Sequence, residues 1–186
     1  DVGNKPYYTA AVGSKVYVTN GGSNTVSVID TASNTVTDTI SVGVYPRGIK
    51  AHGTDLYVAN YGDPNYSGGD YISVIDSNTD TVTDAIVLPA GSYGPRGVTV
   101  LGDKVYVANY RSDNLTIINA TTNEIEETID VGNGPRGLAG YQDRLYVENF
   151  DSGTVSIIDT GSEEVINEIA VGHSPAGISV VNGLLY

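Results

Sequence analysis

The 186-residue sequence predicts an all-β fold, a β-propeller of four-stranded antiparallel blades. Three observations carry that prediction. A unit of about 40 residues recurs along the whole chain, its apolar residues alternate with period two, and no segment shows a 3.6-residue apolar period of helical length. The clock is set by a tyrosine, at Tyr17, Tyr57, Tyr106, Tyr146 and Tyr186, and by a proline, at Pro6, Pro46, Pro95, Pro135 and Pro175. The tyrosine intervals are 40, 49, 40 and 40 residues. Six extra residues between Asn60 and Asp76 and three more between Asp76 and Pro95 account for the long one.

Each unit reads as four short strands. The first begins just after the proline, as in Arg47 to Ala51 and Gly97 to Val100. A Gly-containing turn (Gly53-Thr54, Gly102-Asp103) leads into the second, Asp55 to Asn60. The third is Thr25 to Asp30, with Asn114 to Asn119 and Thr154 to Asp159 as its copies, and the fourth is Thr35 to Ile40 or Glu124 to Ile129. All are rich in Val, Ile, Thr and Tyr and are bounded by Gly, Asn, Asp or Pro, the residues that end strands. The run Asp30 to Val36, like Asn119 to Asn123, marks a hairpin. Its leading Asp or Asn can accept hydrogen bonds from the turn backbone, and a central Asn tolerates the left-handed conformation.

A four-stranded sheet of this size cannot bury both faces alone. Radial stacking covers both faces and leaves only short edges exposed. A parallel β-helix has shorter coils and needs no hairpin after each strand. An immunoglobulin-like sandwich would not repeat its sequence on this clock. The repeats run over about 1–40, 41–88, 89–129 and 130–169, with two strands of a fifth over 170–186. Both ends carry the first and second strands of a unit, so they compete for one role in ring closure. The expectation is therefore an incomplete propeller, part of a longer ring of about seven blades. The alternative is closure by two or more copies, and an uncovered blade edge would favour self-association.

The motifs Tyr17-Val18-Thr19-Asn20, Val28-Ile29-Asp30-Thr31, Asn34-Thr35-Val36, Val42-Gly43 and Pro46-Arg47-Gly48 resemble the YVTN-type β-propeller repeat of surface-layer-like and other exported proteins of archaea and bacteria. The resemblance covers essentially the whole chain. It implies a seven-bladed, non-enzymatic propeller at the cell surface or in the periplasm, and it brings no catalytic constellation with it. One departure is that the family's Pro-Asp-Gly turn before the second strand is replaced by Val-Gly-Ser, His-Gly-Thr, Leu-Gly-Asp and Tyr-Gln-Asp.

Composition narrows the function classes. The 22 acidic and 9 basic residues give a net charge of −13, so this acidic protein lacks the basic footprint that nucleic acid or anionic lipid requires. No apolar run is long enough to span a membrane, and no signal-peptide pattern opens the sequence, which starts inside a repeat. With no cysteine, neither a disulfide nor a thiolate metal site can form.

Of five arginines, three share one repeat position: Arg47, Arg96 and Arg136, each in Pro-Arg-Gly. Equivalent positions surround a propeller axis, so these guanidinium groups would converge on the channel mouth and hold an anion or a partner's carboxylate. The competing reading is that each ties blades together through a neighbouring acid or carbonyl. Tyr7 and Ala176 replace Arg in the flanking repeats. In the second-repeat insertion, Asp63, Asn65, Ser67 and Asp70 resemble the start of a calcium loop, although Val74 stands where the bidentate glutamate belongs. A polar surface hairpin is the competing reading there. Asn65, Asn114 and Asn119 lie in glycosylation sequons. His52 and His173 occupy unrelated repeat positions and form neither a triad nor a zinc site.

The leading functional reading is thus a non-enzymatic extracellular or cell-surface module for structure, adhesion or protein binding. Its partners would be other proteins or a surface polymer. It needs no cofactor, with calcium as the one candidate. The second reading is a periplasmic or surface ligand-binding propeller that uses the axial arginines. The third is an enzyme, a propeller lyase or quinone-dependent dehydrogenase, which fold alone does not support.

Overall fold

The computed structural model describes residues 1–63, 70–181 and 183–186, and its regular structure is all strand. The chain divides into two compact units, Asp1–Pro89 with Gly94–Arg96, and Ala90–Tyr93 with Gly97–Tyr186.

The first unit holds two sheets. One is β1 (Pro6–Val12), β2 (Lys15–Asn20), β3 (Thr25–Asp30) and β4 (Thr35–Ser41); the other is β5 (Pro46–His52), β6 (Asp55–Asn60), β7 (Tyr71–Asp76) and β8 (Thr81–Val87). In each, strands pair antiparallel in chain order. The remaining strands are β9 (Pro95–Leu101), β10 (Lys104–Asn109), β11 (Asn114–Asn119) and β12 (Ile125–Asp130), then β13 (Pro135–Tyr141), β14 (Arg144–Asn149), β15 (Thr154–Asp159) and β16 (Glu164–Ala170). They form two more four-stranded sheets, and β17 (Val180–Val181) with β18 (Leu184–Leu185) forms a two-stranded one. The four-stranded sheets run over residues 6–41, 46–87, 95–130 and 135–170. The expected fourth strand of the third repeat starts one residue late, at Ile125, because the Glu124 carbonyl closes the hairpin by accepting from Asn119 N–H at 2.9 Å.

The corner motif Pro-x-Gly bulges the first strand. Pro46 faces Asn60, yet Ile49 already faces Val58, and the same slip separates Pro6 from Thr9 and Pro135 from Leu138. Proline has no N–H to give the ladder, so pairing resumes only beyond it. The hairpins after the third strand follow the expected chemistry. The Asp30 carboxylate accepts from the N–H groups of Ala32 (3.1 Å) and Ser33 (2.7 Å), and Asn34 stands at φ 56°. These donors hold the Asp30 carboxyl below the usual carboxylate range, the Ser33 N–H first.

Alternation on the strands gives each unit its core. In the first, Tyr17, Val26, Val28 and Ile40 of one blade pack against Ile49, Leu56, Val58 and Ile75 of the next. In the second, Tyr106, Ala108, Leu115, Ile117 and Ile129 meet Leu145, Val147 and Ile158. Tyr17 and Tyr106, and Val28 and Ile117, are the same repeat positions, so one packing scheme is used twice. The outermost β16 is exposed along its whole length, with Ile166 49% exposed.

The signature asparagines Asn20, Asn60, Asn109 and Asn149 are fully buried. Each donates its side-chain amide to a hydroxyl on the third strand: Ser27 (2.9 Å), Ser73 (3.0 Å), Thr116 (2.8 Å) and Ser156 (2.8 Å). The asparagine at the end of each Tyr-Val-x-Asn strand is therefore an internal brace through its amide N–H groups, while its buried side-chain oxygen accepts no hydrogen bond among the described residues. Thr19, also buried, accepts from Tyr8 N–H at 3.1 Å and donates to the Arg47 carbonyl at 2.7 Å, which links consecutive blades.

Candidate functional site

The residue before each corner proline adopts a left-handed backbone: Lys5 (φ 52°), Tyr45 (57°), Gly94 (64°), Gly134 (66°) and Ser174 (53°). That turn lifts the preceding side chain to the surface, while the bulge that follows directs the Arg position alongside it.

In the first unit this geometry builds a cluster around Arg47. Its guanidinium carbon lies 4.0 Å from the ring centre of Tyr7, 4.9 Å from that of Tyr45 and 5.6 Å from that of Tyr61. These are cation–π distances. The Tyr7 and Tyr45 hydroxyls are 3.3 Å apart, and Lys5 Nζ donates to the Tyr45 hydroxyl at 3.4 Å. The hydrogen bond from Tyr7, and then that from Lys5, shifts Tyr45 below the ordinary tyrosine value, while the same Tyr7–Tyr45 bond and burial shift Tyr7 above it.

In the second unit Arg136 is 3.2 Å from the ring centre of Phe150 and 4.9 Å from that of Tyr110. Neither Arg47 nor Arg136 pairs with a carboxylate among the described residues, and Nε of each is buried without a partner. At these two corners the guanidinium stacks on aromatic rings, and for Arg47 one of them, Tyr7, belongs to the preceding repeat. Arg96 holds the equivalent place at the start of β9 and is half-buried. The glycine after the arginine is demanded by close approach: a Cβ on Gly97 would overlap the Arg136 carbonyl oxygen.

The other sequence-predicted positions fall as follows. Asp63 and Asp70 are half-buried, and the Asp70 carboxylate accepts from Gly94 N–H at 3.1 Å. Asn65 and Ser67, and with them the rest of the calcium loop and the first sequon, lie outside the described residues. Asn114 is buried, donating to the Gly91 carbonyl at 3.0 Å, so a glycosylating enzyme could reach it only before the strand folds. Asn119 caps its hairpin and donates to Glu126 at 2.8 Å. His173 is exposed and His52 half-buried.

Two features are absent from the sequence reading. Lys5, Tyr7 and Tyr45 were not recognised as companions of Arg47. The signal for them is the repeat position that carries glycine in two copies and Lys or Tyr in two others. The second feature is Glu148, which occupies the place of Thr19 and Ala108, is 2% exposed, and accepts from Gly177 N–H at 2.7 Å. A glutamate within an otherwise apolar Tyr-Val-x-Asn strand was the signal there.

No protein-family model matches the chain, and no curated protein matches it. Solved structures do. Hydrazine synthase of Kuenenia stuttgartiensis is 22% identical with a TM-score of 0.79, over 93% of this chain and 51% of that one. A streptogramin B lyase is 18% identical with a TM-score of 0.81, over 97% of this chain and 60% of that one. U3-55K is 10% identical with a TM-score of 0.76, over 94% and 56%. The chain thus spans between half and two thirds of the length of these proteins. At such identities the likeness shows the fold: this is a β-propeller chain of four blades and a partial fifth.

Proposed function

We propose that the chain is a non-enzymatic propeller module of the YVTN type, which works outside the cell or on its surface by holding a partner against a rigid blade scaffold. The observation that supports this most is the corner cluster of Lys5, Tyr7, Tyr45 and Arg47. It gathers cations, phenol hydroxyls and ring faces at the surface, while the polar residues shared by all blades are consumed inside the sheets. Such a set offers contact recognition through ring faces, hydroxyls and cations. The lyase and the synthase among the structural neighbours share the blades without lending their chemistry.

Protease treatment of intact source cells tests this reading. Exposed protein should be cleaved while a cytoplasmic marker survives; protection equal to that marker's refutes a surface role. A second reading, ligand binding at Arg47 and Arg96 of the first unit and at Arg136 of the second, is supported by the aromatic seating of Arg47 and Arg136. Calcium at Asp63 and Asp70 belongs to the same proposal as an accessory ion. It predicts a rise in unfolding midpoint on adding the ion to metal-free protein.

A further inference from the structure

One repeat position separates the blades by conformational strain. A left-handed backbone is open to glycine and strained for residues that carry a side chain. The third and fourth repeats meet it with Gly94 and Gly134, whereas the first and second place Lys5 and Tyr45 there and the partial fifth places Ser174. Those two strained side chains meet, with Lys5 Nζ 5.6 Å from the Tyr45 ring centre as well as bonded to its hydroxyl. Strain kept where glycine would relieve it marks a site at which the side chain itself is needed.

The chemistry of the corner selects a ligand class. Two cations, Lys5 and Arg47, meet the same Tyr45 ring, at 5.6 Å and 4.9 Å from its centre, without a carboxylate partner among the described residues, in a protein whose net charge is −13. Around them are the rings of Tyr7, 38% exposed, and Tyr45. The main chain, by contrast, is already used. Lys5 and Asn4 carbonyls accept from Gly21 and Gly22 N–H, and Tyr45 and Val44 carbonyls accept from Tyr61 and Gly62 N–H. The N–H groups of Asn4 and Tyr45 donate to Ser23 and Asn24. An extended peptide binds by adding main-chain hydrogen bonds, and these four carbonyls and two N–H groups are already engaged. The side chains offer ring faces, hydroxyls and cations. A sugar ring offers an apolar C–H face to an aromatic ring and hydroxyls to phenols, and a carboxylate answers the cations with charge-assisted hydrogen bonds.

We propose that the Lys5–Tyr7–Tyr45–Arg47 corner is a binding site for an acidic saccharide, a uronic-acid sugar whose carboxylate meets Lys5 and Arg47 and whose ring lies against the tyrosines. This deepens the binding-module reading by naming the ligand class. It rests on that reading only in requiring contact recognition, not in where the protein resides.

The test is calorimetric titration of the full chain at low and at physiological salt. Three probes are used: a tetramer of β-1,4-linked glucuronic acid, cellotetraose as its neutral counterpart, and hexaglutamate as an acidic peptide. Saturable binding is expected for the glucuronate tetramer alone, weaker at the higher salt. Lys5→Gly, Tyr45→Gly and Arg47→Gln should each weaken it roughly tenfold or more, the scale of a lost hydrogen bond to a charged group. Lys5→Gly should keep the wild-type unfolding midpoint or raise it, since it installs the residue that Gly94 and Gly134 supply elsewhere. Three results each overturn the proposal: no saturable binding of the glucuronate tetramer by the wild-type chain, equal binding of hexaglutamate or cellotetraose, or wild-type affinity in both glycine variants. The protease test of cell location reads the surface-module proposal separately, so either can fail without the other.

Discussion

Replacing Tyr17 by phenylalanine and, separately, Tyr106 by phenylalanine removes the same atom from the same repeat position in the two units, and the two losses should differ. Tyr17 is fully buried and donates from its hydroxyl to the Asp80 carboxylate at 2.6 Å, while Lys15 Nζ holds the other Asp80 oxygen at 2.7 Å. Burial, and then the Asp80 contact, push the Tyr17 phenol above its ordinary value, so it stays neutral and keeps donating. A hydrogen bond to a charged acceptor contributes about 1.5–3 kcal/mol. Asp80 keeps Lys15 after the change, so Tyr17→Phe should cost roughly 1.5–2 kcal/mol. In a chain of this size that is a fall of about 3–8 °C in midpoint. Tyr106 is equally buried, yet its hydroxyl has no partner among the described residues. The residue at the Asp80 place is there Glu163, which is bonded to Lys104, and Lys104 is also 3.3 Å from Glu126. Tyr106→Phe relieves an unpaired buried hydroxyl and should range from neutral to about 1 kcal/mol stabilising. Urea unfolding followed by far-ultraviolet circular dichroism measures both. Amide exchange at Val28 and Ile117, equivalent core positions of the two units, assigns each change to its own unit. Equal destabilisation by the two variants, or a silent Tyr17→Phe, would refute the reasoning.

Gly43→Ala should destabilise by about 1–3 kcal/mol, since overpacking forces a well-filled neighbour to move. Its Cβ would stand 2.5 Å from Cγ of Asn60, an amide fixed by Ser73 and the Tyr71 carbonyl at 3.0 Å each, and urea midpoints report the change. A pH series checks Tyr57, which burial, followed by the charges of Asp55 and Asp84, pushes up to about 12 from an ordinary 10.0. The fold favours the neutral phenol, so this stability is fully present below pH 10, declines above it and is gone once pH passes about 12, on the order of 3 kcal/mol in all. Tyr57→Phe should flatten the alkaline fall measured by urea unfolding, and an unchanged slope would contradict the assignment.

Most of the fold was legible because each blade repeats its instructions. Four alternating segments, a hairpin led by Asp or Asn, and a proline corner recur often enough that a single eccentric copy does not obscure them. The site was legible only in part. Arg47, Arg96 and Arg136 stand out as a repeated cation in an acidic chain, but the sequence shows no sign that Arg47 would lie on Tyr7, Tyr45 and Tyr61. Those rings come from strand ends 54 residues apart, brought together by a bulge and a left-handed turn that depend on three-dimensional register. Glu148 was hidden for a related reason. Its acceptor role toward Gly177 exists only once two successive repeats are packed.

The repeat itself separates structure from function. Positions that every blade fills alike, such as Asn20, Asn60, Asn109 and Asn149, are braced internally and leave nothing to present to a partner. Positions that break the pattern at the surface answer to something other than the fold, because glycine or a hairpin asparagine would satisfy the backbone at less strain. Lys5 and Tyr45 are of this second kind, each at a place where Gly94 and Gly134 supply the unstrained solution, and both lie beside Arg47. Glu163 breaks the pattern too, at φ 58° where Asn34 and Asn123 carry the usual asparagine, but its carboxylate is engaged by Lys104 within the unit. Of these departures only the first leaves its charges open to a ligand, which is why the corner of the first unit, and not the hairpins, is where recognition by this chain is to be sought.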